Sequence, residues 1–234
     1  MTLRVVVEVG SKKAFASALD WPGWSRSGRG EVEALEALLA YGPRYAVVAK
    51  RARVAFDPPA SVQGLDVAER LAGGGSTDFG VPGEAAHAED EAISAAEAKR
   101  LTALLKAAWA TFDAVAARAV DVELAKGPRG GGRDLDKIVE HVRDAEVAYL
   151  GQLGSRSPPD ADPAAHGLET IRNAFVETLT ARVRGTPLRN PRNTKKPWSP
   201  RYAVRRSAWH NLDHAWEIED RSRGMHVRPG KPGR

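Results

Sequence analysis

Apolar positions along the chain follow two different periods. "LRVVVEV" (3–9) is a nearly continuous run of strand formers, and "KAFASALDW" (13–21) loosely alternates Phe15, Ser17 and Leu19 with smaller residues. Both stretches predict strands. "DWPGW" followed by "SRSG" is turn chemistry. From Glu31 the spacing becomes helical, with Val32, Leu35, Leu38 and Leu39 on one side, and Gly42-Pro43 breaks or kinks that helix. "LDVAERL" (65–71) supplies a third short strand, so the first 60 to 70 residues read as a β-β-α unit with a returning strand. "AGGGSTDFGVPGEAAHAEDE" (72–91) reads as loop or linker.

The remainder is helical. Ser94 and Glu97 make a capping-box pattern ahead of a long helix that aligns Leu101, Leu104, Leu105, Ala108, Trp109, Phe112 and Val115. "KGPRGGGR" (126–133) is a turn. It lacks the G-x-x-x-x-G-K-[ST] spacing of a phosphate loop and follows no strand, so it reads as a helix connector. Asp134 can cap "LDKIVEHVRDAEVAYLGQL". Asp162-Pro163 starts a third helix that stops near Gly185, and Ser199-Pro200 starts a fourth that runs to about Gly224. Four amphipathic helices of this length predict a four-helix bundle. The fold class is therefore α+β. Residues 1–71 form a small unit, 72–92 a linker, 93–224 the bundle and 225–234 a basic tail.

Composition narrows the chemistry. The chain has 234 residues, 42% hydrophobic and 28% charged, and no apolar run of membrane-spanning length. The N-terminus lacks a secretory pattern, so a cytoplasmic protein is expected. There is no Cys, which excludes disulfides and thiolate ligands; any metal must be held by His and carboxylates. The net charge of +5 is concentrated in the 182–201 loop and the 221–234 tail. Neither stretch has the aromatic interleaving of a single-strand binding surface, so nucleic acid is not the expected partner.

Against that background "RRSAWHNLDHAWEIEDR" (205–221) stands out. His210 and His214 are four apart, so their imidazoles project side by side from one helix. They lie at the border of an apolar stripe that includes Ala203, Val204 and Ile218. On the second bundle helix, His141 sits at the edge of the stripe made by Ile138, Val142, Ala145, Ala148 and Tyr149. If the bundle runs up-down-up-down, the second and fourth helices are parallel. The three imidazoles then lie about 10, 15 and 21 Å along the axis, close enough to converge after modest sliding. Three imidazoles with an open position form the ligand set of a catalytic metal site. Arg206, one turn before His210, is a candidate for holding an anionic group. Asp144 and Glu217, each three residues after a candidate ligand, are candidates for orienting imidazoles. His87, His166 and His226 fall in or beside connecting segments and are not expected to be ligands.

The helix order, the long third-to-fourth connection and the three histidines make residues 93–222 resemble the DinB superfamily of metal-dependent four-helix bundles. The resemblance implies a metal triad of His141, His210 and His214 holding a divalent ion, most often zinc or nickel. It also implies an activity of thiol-dependent transfer or hydrolysis, with a low-molecular-weight thiol such as mycothiol as co-substrate; no second catalytic residue carries over. "FASALDWPGWSRSGRGEVEALEALLAY" is similar to HicB-like domains, which have a β-β-α-β core and bind partners. Two readings follow. One is a metalloenzyme acting on a small-molecule substrate. The other is a non-enzymatic binding protein, a HicB-like module fused to a bundle that holds metal structurally or not at all. A homodimer is left open, and a membrane partner is not expected.

Overall fold

Strand propensity and parity produce the N-terminal sheet. The computed structural model describes residues 2–126, 132–158 and 167–223. β1 (Leu3–Val9) and β2 (Ala14–Ala18) form an antiparallel hairpin, and β4 (Leu65–Ala72) returns parallel to β1 on its other side. The "SRSG" stretch, expected as turn, is instead strand β3 (Ser25–Gly28), antiparallel to β2, giving the order β3-β2-β1-β4. The turn chemistry is confined to residues 19–24. The chain re-enters the sheet because β2 is otherwise an open edge with free backbone groups. Every residue of β2 is buried, so both faces of the sheet centre are covered. Gly42-Pro43 separates α1 (Glu31–Ala40) from α2 (Gly42–Arg51), with proline in the first turn of α2 where its missing N–H costs nothing.

The expected linker is tied down. It carries a short helix, α3 (Gly75–Phe79), and a single 3₁₀ turn at His87–Asp90. Glu8, buried on β1, accepts hydrogen bonds from the Thr77 hydroxyl and from the amides of Gly83 (3.1 Å) and Glu84 (3.0 Å). These bonds satisfy a carboxylate that would otherwise be stranded under the sheet.

Four long helices follow: α4 (Ala95–Arg118), α5 (Leu135–Leu153), α6 (Gly167–Arg184) and α7 (Pro200–Arg223). The seven apolar positions aligned on α4 are all buried. Ser94 caps α4 by accepting from the Glu97 amide, but the Glu97 carboxylate is taken by Arg201 and does not close a capping box. Asp134 occupies the N-cap position of α5 without a side-chain cap bond. The proposed start of α6 at Asp162-Pro163 lies outside the described residues.

Helix directions follow from which residues meet. Arg201 reaches Glu97 and Ser207 meets Trp109, so α4 and α7 run parallel. Asp113 and Trp109 of α4 meet Arg172 and Phe175 of α6, so those two run antiparallel. Glu146 meets Arg172 and Ser155 meets Thr178, so α5 and α6 run parallel. His141 meets His210 and His214, while the Trp198 amide bonds to the Gln152 carbonyl (2.8 Å), so α5 and α7 run antiparallel. The bundle is thus up-down-down-up, not up-down-up-down as expected. The departure lies between α5 and α6, which run in the same direction. The α6–α7 connection then packs against the C-terminal end of α5, where Arg192 and Trp198 amides bond to Gly154 and Gln152 carbonyls.

α7 lies at the centre of the molecule. Every residue from 202 to 212 is buried. One side faces α4 and α5; the other faces the N-terminal unit, where Phe15 packs edge-on to Trp209 (6.1 Å) and Arg26 pairs with Asp213 (2.9 Å). Gly23 of the D-x-P-G turn has φ +92°, and a Cβ there would lie 2.9 Å from Leu212 Cδ1 and 3.0 Å from Ala208. One hydrophobic cluster therefore runs from Val5 and Val7 through Ala208 and Leu212 to Leu105 and Leu153. A second surrounds Phe112, Ile138, Val142 and Ile218 near the other end of the bundle.

Candidate metal centre

Burying α7 on all sides forces its polar residues to find partners inside the protein. Arg205 grips Glu89 through Nε (2.5 Å) and Nη2 (2.8 Å), both groups almost fully enclosed. Ser207 accepts from the Trp109 indole (3.1 Å). Asn211 donates to the Ser207 carbonyl and accepts from Arg172, which also binds Glu146 (3.0 Å) and Asp113 (2.6 Å). That set spans all four bundle helices. Burial raises Glu146 toward the neutral acid, while its guanidinium partner opposes the shift.

The two buried histidines of α7 meet a partly exposed one on α5. His141, His210 and His214 each offer a ring nitrogen, and these atoms all lie within 4.8 Å of one another. His210 Nε2 is 3.2 Å from His141 Nε2. The ring centroids are 4.7 to 5.1 Å apart, with the His214 ring nearly perpendicular to both others. Convergence does not come from matched depth on parallel helices. It comes from antiparallel neighbours: the early turns of α5 lie beside the C-terminal half of α7.

The donor set fits a divalent cation. Two metal–nitrogen bonds of about 2.05 Å set roughly 100° apart span about 3.2 Å, so the two Nε2 atoms already stand at ligand spacing. Both rings are neutral at neutral pH and keep a lone pair. Burial lowers the pKa of His141, with help from Arg133 and His214, and holds His210 well below the usual imidazole range, with help from the other two histidines. His214 Nδ1 lies 2.8 Å from Glu217 Oε2, which places the proton on Nδ1 and leaves Nε2 free as a donor. Burial raises Glu217, but bonds from His214 and Arg221 outweigh it and keep the carboxylate ionised. His210 Nδ1 is buried with no partner among the described residues, so its polar contact is made through Nε2 alone.

The other expected residues divide. Glu217 lies at hydrogen-bonding distance from the imidazole of His214, which precedes it by three residues on α7. Asp144 does not reach an imidazole: it is exposed and lies 3.6 Å from Arg143, because its position turns away from the α5 face that meets α7. It acts on His141 only as a distant charge. Arg206 is buried, donates from Nη1 to the Pro82 carbonyl (2.9 Å), and lies over the rings of Trp209, Tyr149 and Trp198 at 5.0, 5.6 and 5.9 Å. His87 is exposed and pairs with Glu69; His166 and His226 lie outside the described residues. Tyr149, a residue of the α5 apolar stripe and no site candidate by sequence, brings its ring to 5.7 Å from that of His210. The available signal was its position two turns after His141 on the same face.

Site access is from α5, where His141 and Tyr149 are partly exposed while His210 and His214 are buried. Among the described residues, no helix is long and apolar enough to cross a membrane. Compared with known protein families, curated proteins and solved structures, the chain matches none.

Proposed function

We propose that the chain is a DinB-like metalloenzyme that uses one divalent ion, zinc or nickel, for thiol-dependent transfer or for hydrolysis. The observation that carries this reading is the 3.2 Å approach of two neutral imidazole Nε2 atoms, with a third imidazole beside them oriented by a carboxylate. His141, His210 and His214 would hold the ion. Bound there, it would act as a Lewis acid that favours the deprotonated form of a water or thiol at neutral pH.

The chain's own residues supply the rest. Glu217 holds the Nδ1 proton of His214 and is itself fixed by Arg221 (2.9 Å). Burial of His210 keeps water from competing for its lone pair. Tyr149 and His141 border the open side, where a substrate would arrive. With no Cys in the chain, a nucleophilic sulfur must come from a separate small thiol. The N-terminal unit serves this reading as support, because it covers the side of α7 that faces away from the bundle.

Elemental analysis of the purified full-length chain tests it. One equivalent of divalent metal is expected in the wild type, with loss in His210→Ala and His214→Ala while the far-UV circular dichroism is kept. Full retention in both variants removes the site. A metal-free wild type that takes up no added zinc, nickel or cobalt returns the chain to the reading as a binding protein.

A further inference from the structure

Two adjacent arginines on α7 are buried, and they differ in one respect. Arg205 presents its Nε–Nη2 edge to Glu89 and makes two nearly parallel bonds to that carboxylate. Arg206 uses Nη1 for the Pro82 carbonyl, which leaves the same Nε–Nη2 edge over. Among the described residues its Nε is buried without a partner, and its one hydrogen bond is made from Nη1. No carboxylate among the described residues pairs with it. The guanidinium is held instead by three aromatic faces, those of Trp209, Tyr149 and Trp198. A buried cation without an anion is costly, and aromatic faces offset only part of that cost.

The surroundings of this guanidinium include the histidine centre. His210 is the next residue along this side of α7. Tyr149 lies between them, with its ring 5.6 Å from the guanidinium and 5.7 Å from the His210 ring. The Tyr149 hydroxyl has no hydrogen-bond partner among the described residues. A planar carboxylate is the group that fits such an edge, since its two oxygens match two parallel N–H donors.

We propose that Arg206, with the Tyr149 hydroxyl beside it, forms a subsite for a carboxylate on the small molecule that the histidine centre binds. The ligand would thus be a short carboxylic acid whose other end, a thiol or other donor, reaches the three histidines. The second half of that statement rests on the metal reading; the first half does not. Arg206 is a binding residue here. Its aromatic cage fixes the guanidinium before the ligand arrives, so little ordering cost remains on binding.

The test compares a charged with a neutral thiol on the cobalt-loaded full-length protein, followed by the visible cobalt spectrum. 3-Mercaptopropionate is expected to bind at least tenfold tighter than 2-mercaptoethanol. In Arg206→Met the preference should vanish with cobalt content unchanged. Arg206→Lys, which keeps the charge and most of the stem, guards against misfolding and should lose most of the preference. Equal affinity for the two thiols in the wild type overturns the proposal, as does a preference that survives in either folded variant. If the protein takes up no metal, the metal reading fails and the subsite is tested alone. Benzoate should then quench tryptophan fluorescence saturably in the wild type, benzamide should not, and Arg206→Lys should weaken the benzoate response at least tenfold. Absence of a benzoate response in the wild type overturns the subsite independently.

Discussion

At the scale of single residues, burial decides what each ionisable side chain does. Glu146 and Arg172 form a pair with only 3% and 12% of each side chain exposed. Replacing Glu146 with Leu leaves Arg172 with Asp113, which is half in solvent, and should cost about 3 kcal/mol of unfolding free energy in urea titrations. At the metal centre, Glu217→Gln keeps the size of the side chain but weakens its hold on the Nδ1 proton of His214. Metal affinity should fall by about 10–100-fold in a chelator competition, with no change in fold. The histidines also set a pH response. His141 and His210 resist protonation when folded, whereas in the unfolded chain they accept a proton near pH ~6.5. The unfolded state therefore binds more protons below that pH, and stability rises with pH wherever this holds. Metal-free protein should lose stability as the pH falls from about 6.5, and the slope of thermal midpoint against pH should be shallower in His210→Ala.

Elements show why a helix with so many polar residues can be central. α7 carries Arg205, Arg206, Ser207, His210, Asn211 and His214 in buried positions, and all but Arg206 are matched by a polar side-chain group among the described residues. Among its buried apolar positions, Ala203, Val204 and Ala208 are small enough to let neighbours approach closely. The D-x-P-G turn uses that closeness. Gly23 has a left-handed backbone and touches Ala208 and Leu212 with no room for a side chain. Gly23→Ala combines backbone strain with overlap and should cost roughly 2–4 kcal/mol, read as a lowered thermal midpoint. The expected linker is likewise an element with work to do. Arg201, Tyr202, Arg205 and Arg206 all bond to its carbonyls or carboxylates between residues 82 and 92.

For the whole molecule, the shared core has a consequence for cooperativity. Val5, Ala208, Leu105 and Leu153 belong to one buried cluster, so the sheet and the bundle should lose structure together. Urea curves followed by tryptophan fluorescence and by far-UV circular dichroism are expected to coincide. Removing residues 1–71 exposes the other side of α7, including Ala208 and Trp209. That truncated chain should show no cooperative transition; a sharp transition at the midpoint of the full chain would show that the bundle stands alone.

Much of this was legible in the residues. Period-two and period-3.6 patterns located β1, β2, β4, α1, α2 and the four long helices, because those periods follow from backbone geometry and hold wherever an element is buried on one side. The i,i+4 spacing of His210 and His214, and the edge position of His141, marked the triad before any fold was known. The three-residue step to Glu217 was equally local. What the residues could not decide was where the elements went. β3 was hidden because "SRSG" has no apolar alternation, and only the open edge of β2 makes it a strand. Helix direction was hidden because an amphipathic helix looks the same whichever way it runs; packing decides, as where Glu146 meets Arg172 and Ser155 meets Thr178 and so sets α6 parallel to α5. Asp144 and Glu217 occupy the same spacing from a histidine, yet one faces solvent and the other an imidazole, since the neighbouring helix lies on only one side. Arg206 could not be told from a surface charge until α7 was enclosed from both sides. Local sequence set the elements and their faces, while tertiary packing decided which faces met, because burial is a property of neighbours and not of the residue.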